Sequence, residues 1–147
     1  MNSTQENRVS ETSAFYGSSI GIEAKTRPTL IELLRNGFNY KTVEAVRETL
    51  QIPIAEFGQI INIAPRTLSR RKKEGRLHTD ESERLYRVAA LVERASEVLE
   101  NKAAAINWLK TPKRALDGKT PLEYADTQVG IEEVKELLGR IEHGVFA

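Results

Sequence analysis

Between Arg66 and Arg76 six basic residues, Arg66, Arg70, Arg71, Lys72, Lys73 and Arg76, stand against one acid, Glu74. The segment carries +5 in a chain whose formal net charge is +1, so the remainder is acidic. A basic block on an acidic body is the electrostatic footprint of a phosphate-binding surface. Pro65 suits a first helical turn, where its missing N–H would be unpaired anyway, and Gly75 suits a helix end. At about 100° per residue, Arg66, Arg70 and Lys73 lie about 160°, 200° and 140° from Leu68. Leu68 is the one large apolar residue between Pro65 and Glu74, and Thr67 and Ser69 flank the outer face. The predicted helix is therefore anchored by Leu68 and turns most of its circumference to something polar. A DNA major groove admits an α-helix, arginine bridges guanine O6 and N7, and N-terminal residues of such a helix reach the bases. Base contacts are thus assigned to Arg66, Thr67 and Arg70, with Ser69 beside them. Lys72, Lys73 and Arg76 are assigned to phosphates. A solvated basic helix would show the same charge run; the short helix and tight connection before it favour DNA.

Other chemistries find little footing. The chain has two histidines, His78 and His143, and no cysteine. Neither histidine sits in an i, i+4 metal pair or beside a glycine-rich elbow. Gly17–Ser18–Ser19–Ile20–Gly21 is not a phosphate loop, because no Lys-Ser/Thr pair follows it. Most carboxylates stand on helix faces next to Lys or Arg, where solvated pairing accounts for them. No nucleophile–base set is visible, so no catalytic residue, metal ligand or cofactor is expected.

The elements that must position the basic helix read as all-α. Residues 1–25, rich in Ser, Thr, Asn, Gln and Glu, are expected to form a mobile arm, with a short extended piece at Ser18–Ile22. Pro28 opens a helix with Leu30, Leu33 and Leu34 on one face, closed by Gly37. Thr42 to Leu50 places Val43, Val46 and Leu50 on one side. After Pro53, the recurrence of Ile54, Phe57 and Ile61 predicts a short amphipathic helix, and Asn62–Ile63–Ala64 a tight connection to the basic helix. The pair has the size of a helix-turn-helix. Thr79 or Asp80 is expected to cap a long helix through about Leu99. Its stripe of Leu85, Val88, Ala89, Val92, Ala95 and Leu99, widened by Leu91 and Val98, suits a central helix or a subunit interface. Ala103 to Leu109 forms a further helix, and Thr120–Pro121–Leu122–Glu123 reads as a capping box. The last helix holds Ile131, Val134, Leu137, Leu138 and Ile141 and ends at Gly144. Trp108, the single tryptophan, stands at i+4 from Ala104 and is assigned to the core ahead of a binding anchor. With 39% hydrophobic and 29% charged residues the composition is globular. No run of about 18 apolar residues and no apolar leader is seen. Together with the missing cysteines, this gives a cytoplasmic expectation.

From about Arg66 onward the sequence resembles the Xre-type antitoxins, the group that includes MbcA and ParS antitoxin-like proteins. Arg66–Thr67–Leu68–Ser69–Arg70–Arg71, Leu77 and Glu81–Ser82–Glu83–Arg84–Leu85 form the first element of the likeness. Ala104, Trp108–Leu109, Pro112, Leu116, Gly118 and Pro121–Leu122–Glu123 form the second. Gly130, Val134, Leu137–Leu138, Gly139–Arg140–Ile141 and Gly144 form the third. Tyr124–Ala125 and the basic pair Lys113–Arg114 depart from the usual pattern. The resemblance implies a helix-turn-helix domain at 26–78, joined through the long helix to a small helical toxin-binding domain at 79–147. It also implies a dimeric antitoxin whose partner is a RES-domain toxin that degrades NAD. The antitoxin then blocks the toxin's active site, assembles with it into a higher-order complex, and the complex represses the shared promoter by binding operator DNA. Arg140, Glu142 and His143, with the tail residues Val145 and Phe146, are the expected toxin contacts. Dipole complementarity at a helix end would also account for Arg140 and His143.

Two other function classes share the basic helix: a stand-alone helix-turn-helix regulator whose C-terminal half dimerises or senses a ligand, and an adaptor that binds no DNA. The C-terminal motif set favours the antitoxin.

Overall fold

Thr26 starts the first helix by accepting the Thr29 N–H on its hydroxyl at 3.2 Å, and Pro28 occupies the first turn. The structure, a computed structural model, describes residues 26–144. The arm at 1–25, its extended piece at Ser18–Ile22, and the tail Val145–Phe146 lie outside the described residues. The described chain is all-helical: α1 (Arg27–Asn36), α2 (Lys41–Leu50), α3 (Ile54–Ile60), α4 (Pro65–Glu74), α5 (Thr79–Leu99), α6 (Lys102–Leu109), α7 (Pro121–Tyr124) and α8 (Gln128–Glu142). A 3-10 turn, Arg114–Leu116, precedes α7. No described helix is long and apolar enough to cross a membrane.

The long helix α5 organises the rest. It packs against α1, α6 and α8, and Leu85, Val88, Ala89, Leu91, Val92 and Ala95 are buried. Most of the apolar stripe is therefore covered within one chain, while Val98 and Leu99 at its C-terminal end are half-buried. One continuous core runs from Leu30 and Phe38 through Phe57 and Leu85 to Val134 and Leu138. Burying such side chains contributes roughly 1.5–3 kcal/mol each before entropy is charged.

Short polar ties fix how the helices meet. Gly37, at φ 85°, lets the chain pass so close to Leu77 that a Cβ there would lie 2.0 Å from the Leu77 carbonyl oxygen. This approach allows Leu77 N–H to donate to Phe38 and Tyr40 N–H to donate to Gly75. Phe38 N–H also donates to the buried Ser82 hydroxyl at 2.8 Å. The segment before α2 is thus tied to the segment after α4, although some forty residues separate them. Lys110 Nζ donates to the carbonyls of Leu50 and Gln51, capping the C-terminal end of α2 from the C-terminal half.

Three expectations need correction. The N-cap of α5 is His78, not Thr79 or Asp80, because the Glu81 carboxylate accepts the His78 N–H at 2.8 Å and starts the helix one residue earlier. In α6 the fully buried pair is Ala105 and Leu109 and Ala104 is exposed, while Trp108 is half-buried and packs against the core. The Ala-rich run left the register of α6 open by one residue, and Asn101, capping through Ala104 N–H, settles it. Ile54 is 40% exposed, so the inner face of α3 is carried by Phe57, Gly58, Ile60 and the following Ile61. The capping box at Thr120 and Glu123 forms as the spacing predicts, at 3.1 and 2.8 Å.

Candidate functional site

The basic helix is α4, and its placement follows from three local features. Ile61 and Asn62, the latter in the left-handed region at φ 57°, turn the chain after α3. Gly58 lies against Leu68, whose Cδ1 is 3.0 Å from where a Cβ would stand. Leu68 is 4% exposed and anchors α4 against α3. Arg84, on α5, donates from Nε to the Ile61 carbonyl at 2.8 Å, so the turn itself is held by the central helix.

With Leu68 inward, Arg66, Ser69, Arg70, Lys72 and Lys73 are exposed and Thr67 is half-buried. No ion pair among the described residues engages Arg66, Arg70, Lys72 or Lys73. The outer face of α4 therefore presents free cations and small hydroxyls, the composition that reads base edges and phosphates. Arg76 differs: its guanidinium donates to the carbonyls of Asn36 and Gly37 at 3.3 and 2.8 Å, which commits part of its donor set to the body.

Arg71 does not join this face. It is 5% exposed, and its Nε and Nη2 donate to the two oxygens of Glu81 at 2.8 and 3.0 Å. Nη1 reaches Glu74 at 3.2 Å, and Nη2 also faces His78 Nδ1 at 3.2 Å. Burial alone would raise the Glu81 carboxyl; the hydrogen bonds from Arg71 and the His78 N–H, with the Arg71 charge, overcome it and hold the carboxyl below its ordinary range. The Glu81 hydrogen bond likewise pushes the Arg71 guanidinium up against its own desolvation. The signal was present in the sequence: Arg71 is i+3 from Leu68, about 60° away, on the inner side of the helix.

The second candidate surface is the C-terminal end of α8. Arg140 is half-buried, while Glu142 and the C-cap His143 are exposed. Glu142 is not free, since both its oxygens accept from Arg94 of α5, at 2.5 and 3.1 Å. The Arg94 hydrogen bond holds the Glu142 carboxyl below its usual value. Val145 and Phe146 lie outside the described residues. Elsewhere in this half, Lys113 rests over the Trp108 ring at 4.7 Å, so Trp108 serves partly as a platform for a cation. Burial pushes the Lys113 ammonium below its ordinary value. A cleft of about 710 Å³ separates α3 from the α7–α8 corner, with Glu56 and Ile60 on one wall and Glu123 and Val129 on the other.

The comparisons with known proteins fall on these two halves. Residues 29–90 match the antitoxin Xre-like helix-turn-helix domain, and residues 94–144 the antitoxin Xre/MbcA/ParS C-terminal toxin-binding domain. The chain is 33% identical over 130 residues to an Antitoxin Xre of Yersinia enterocolitica, covering 87% of this chain and 88% of that protein. It is 30% identical over 131 residues to an Antitoxin Xre of Photorhabdus laumondii, covering 88% of each. A chain in the crystal structure of the M. tuberculosis MbcT–MbcA toxin–antitoxin complex has the same fold, with a TM-score of 0.52 and 24% identity, over 74% of this chain and 96% of that one.

Proposed function

Since the chain belongs to the Xre antitoxin family, with a helix-turn-helix and a toxin-binding domain, we propose that it neutralises a RES-type, NAD-degrading toxin and represses its own operon. The observation that carries the DNA half is the outer face of α4, where Arg66, Arg70, Lys72 and Lys73 are exposed and unpaired around a helix anchored by Leu68. Arg66, Thr67, Ser69 and Arg70 read base edges; Lys72, Lys73 and the uncommitted donors of Arg76 bind phosphate.

For the toxin half, support comes from the family match over 94–144 and from the described neighbour, which was solved as a toxin–antitoxin complex. In this reading Arg140, His143, Val145 and Phe146 enter the toxin's active-site cleft and exclude NAD, while Glu142, held by Arg94, sets the end of α8. Two antitoxin chains pair within the assembled complex, the apolar stripe of α5 being mostly covered within one chain. Pairing places two α4 helices on neighbouring half-sites.

The test is to express the chain with its neighbouring gene from the native operon and purify it by an N-terminal tag. A stoichiometric partner that consumes NAD alone, and stops when the chain is added, supports the reading. A chain that purifies alone yet retains its promoter DNA would replace it with a stand-alone regulator.

A further inference from the structure

Arg71 carries the same charge as its neighbours on α4 and none of their exposure. All three guanidinium nitrogens are engaged, with Glu81, Glu74 and His78, and at 5% exposure the group is turned into the body rather than toward a phosphate. Glu81 is 5% exposed, and one of its oxygens also accepts the His78 N–H. This pair spans the joint between the last turn of α4 and the first turn of α5. Only Gly75, Arg76, Leu77 and His78 connect the two helices, and Gly75 stands at φ 82° with nothing within 4 Å of its would-be Cβ.

We propose that Arg71 and Glu81 are positioning residues for DNA recognition: their two-point bond sets the angle at which α4 leaves the body, and so where Arg66 and Arg70 meet the bases. The inference rests on reading α4 as the recognition helix. A planar guanidinium joined to a carboxylate at two points fixes direction as well as distance, which a single-point ammonium does not. Leu68 holds α4 near its middle, single hydrogen bonds hold the turn before it and Gly75 after it, and the Arg71–Glu81 pair adds a two-point, directional tie on its inner face. Arg66 lies five residues from Arg71, about 7.5 Å along the axis. A tilt of about 15° pivoting at Arg71 would move it by about 2 Å, more than a bidentate hydrogen bond tolerates.

This separates two roles that a basic residue on this helix can play. If Arg71 acted by charge, Glu81→Gln would strengthen DNA binding, because it removes a negative charge beside the helix. As a positioning pair, Glu81→Gln weakens operator binding although the protein becomes more positive. Arg71→Lys weakens it too, although no charge is lost.

The experiment is a fluorescence titration of the full chain, bound to its toxin, with a fragment of its own promoter and a scrambled fragment of equal length, over a salt series. Circular dichroism melts are run on the same samples, below whose onset all titrations are made. The expected result is about tenfold weaker promoter binding for both variants, about 1.4 kcal/mol. Scrambled-fragment affinity and the salt slope stay at wild-type values, and toxin inhibition is unchanged. Promoter binding at or above wild-type strength for Glu81→Gln overturns the proposal. So does equal loss of promoter binding, scrambled binding and toxin inhibition, which reduces the pair to fold maintenance. If Glu81→Gln melts below the assay temperature, Arg71→Lys decides alone by the same criteria. A wild-type protein that fails to prefer its promoter would instead remove the DNA reading on which the inference stands.

Discussion

The outer face of α4 and the C-terminal end of α8 are both polar, and they differ in what their charges are doing before any partner arrives. On α4, Arg66, Arg70, Lys72 and Lys73 are exposed with no ion pair among the described residues. On the C-terminal half, several charged groups are already engaged: Glu142 with Arg94, Lys110 with the end of α2, Lys113 over Trp108, Glu123 in its capping box. A surface of free cations recruits a polyanion by counterion release and needs no rearrangement. A surface whose charges serve the chain's own packing recognises a partner by shape, with chemistry confined to the few groups beyond the last tie. The comparison can be broken at either end.

The largest effect is expected at the chain's end. Removing residues 143–147 takes away His143, Val145 and Phe146 while leaving Glu142 and its bond to Arg94 in place. Inhibition of the toxin's NAD consumption should be lost altogether, and promoter binding should be retained. Full inhibition by the shortened chain would move the toxin contact to another part of the 94–144 unit.

Next comes the α4 face. Arg70→Ala should weaken promoter binding by about 1–3 kcal/mol, the worth of one good base contact. Lys73→Ala should weaken all DNA binding more evenly and lower the salt slope by about 0.9. Gel-shift titrations at three salt concentrations separate the two, and equal behaviour of both variants would mean that α4 binds by charge alone.

How much of this was legible in the sequence depended on whether a signal was local. Pro65, Leu68 and Gly75 lie within one helix, and they give the bounds of α4 and its inward side without reference to anything else. The capping box at Thr120 and Glu123 is legible for the same reason. Arg71 was only half legible: its position relative to Leu68 points it inward, while its partner Glu81 stands on the next helix, and only the fold brings them to 2.8 Å. The α5 stripe announced burial without saying by what, because α1, α6 and α8 all cover it. Trp108 does pack against the core, but its pairing with Ala104 missed the fully buried Ala105 and Leu109, since three successive alanines in α6 offer no periodicity to read. Contacts between distant segments, such as Arg94 with Glu142, leave no local pattern at all.

A smaller effect follows from acid. The Glu81 carboxyl is held below its ordinary value of 4.5 in the folded protein. A group depressed on folding contributes stability above its unfolded pKa, and that contribution disappears as pH falls through the folded value. Thermal melts should therefore be insensitive to Glu81 from neutral pH down to about pH 5, with loss below about pH 4.3. Glu81→Gln should flatten that acid limb relative to wild type. An unchanged limb would mean that the Arg71–Glu81 pair contributes no more when charged than when protonated.

The smallest effect decides what Glu142 does. Its carboxylate sits 2.5 and 3.1 Å from Arg94, so it is held to α5 before a toxin binds. If its part in toxin binding is to fix where α8 ends, then Arg94→Gln and Glu142→Gln should weaken inhibition by the same small factor, since each removes the same bond. The double variant should then add nothing, because coupled residues lose their shared interaction once. If Glu142 instead contacts the toxin, Glu142→Gln alone weakens inhibition, and Arg94→Gln, by freeing the carboxylate, leaves it unchanged or improves it. The double-mutant cycle, read as inhibition constants against NAD consumption, distinguishes these. Equality of the two single variants is the expected result: both oxygens of Glu142 are turned to Arg94, which leaves the exposed C-cap His143 beyond that tie.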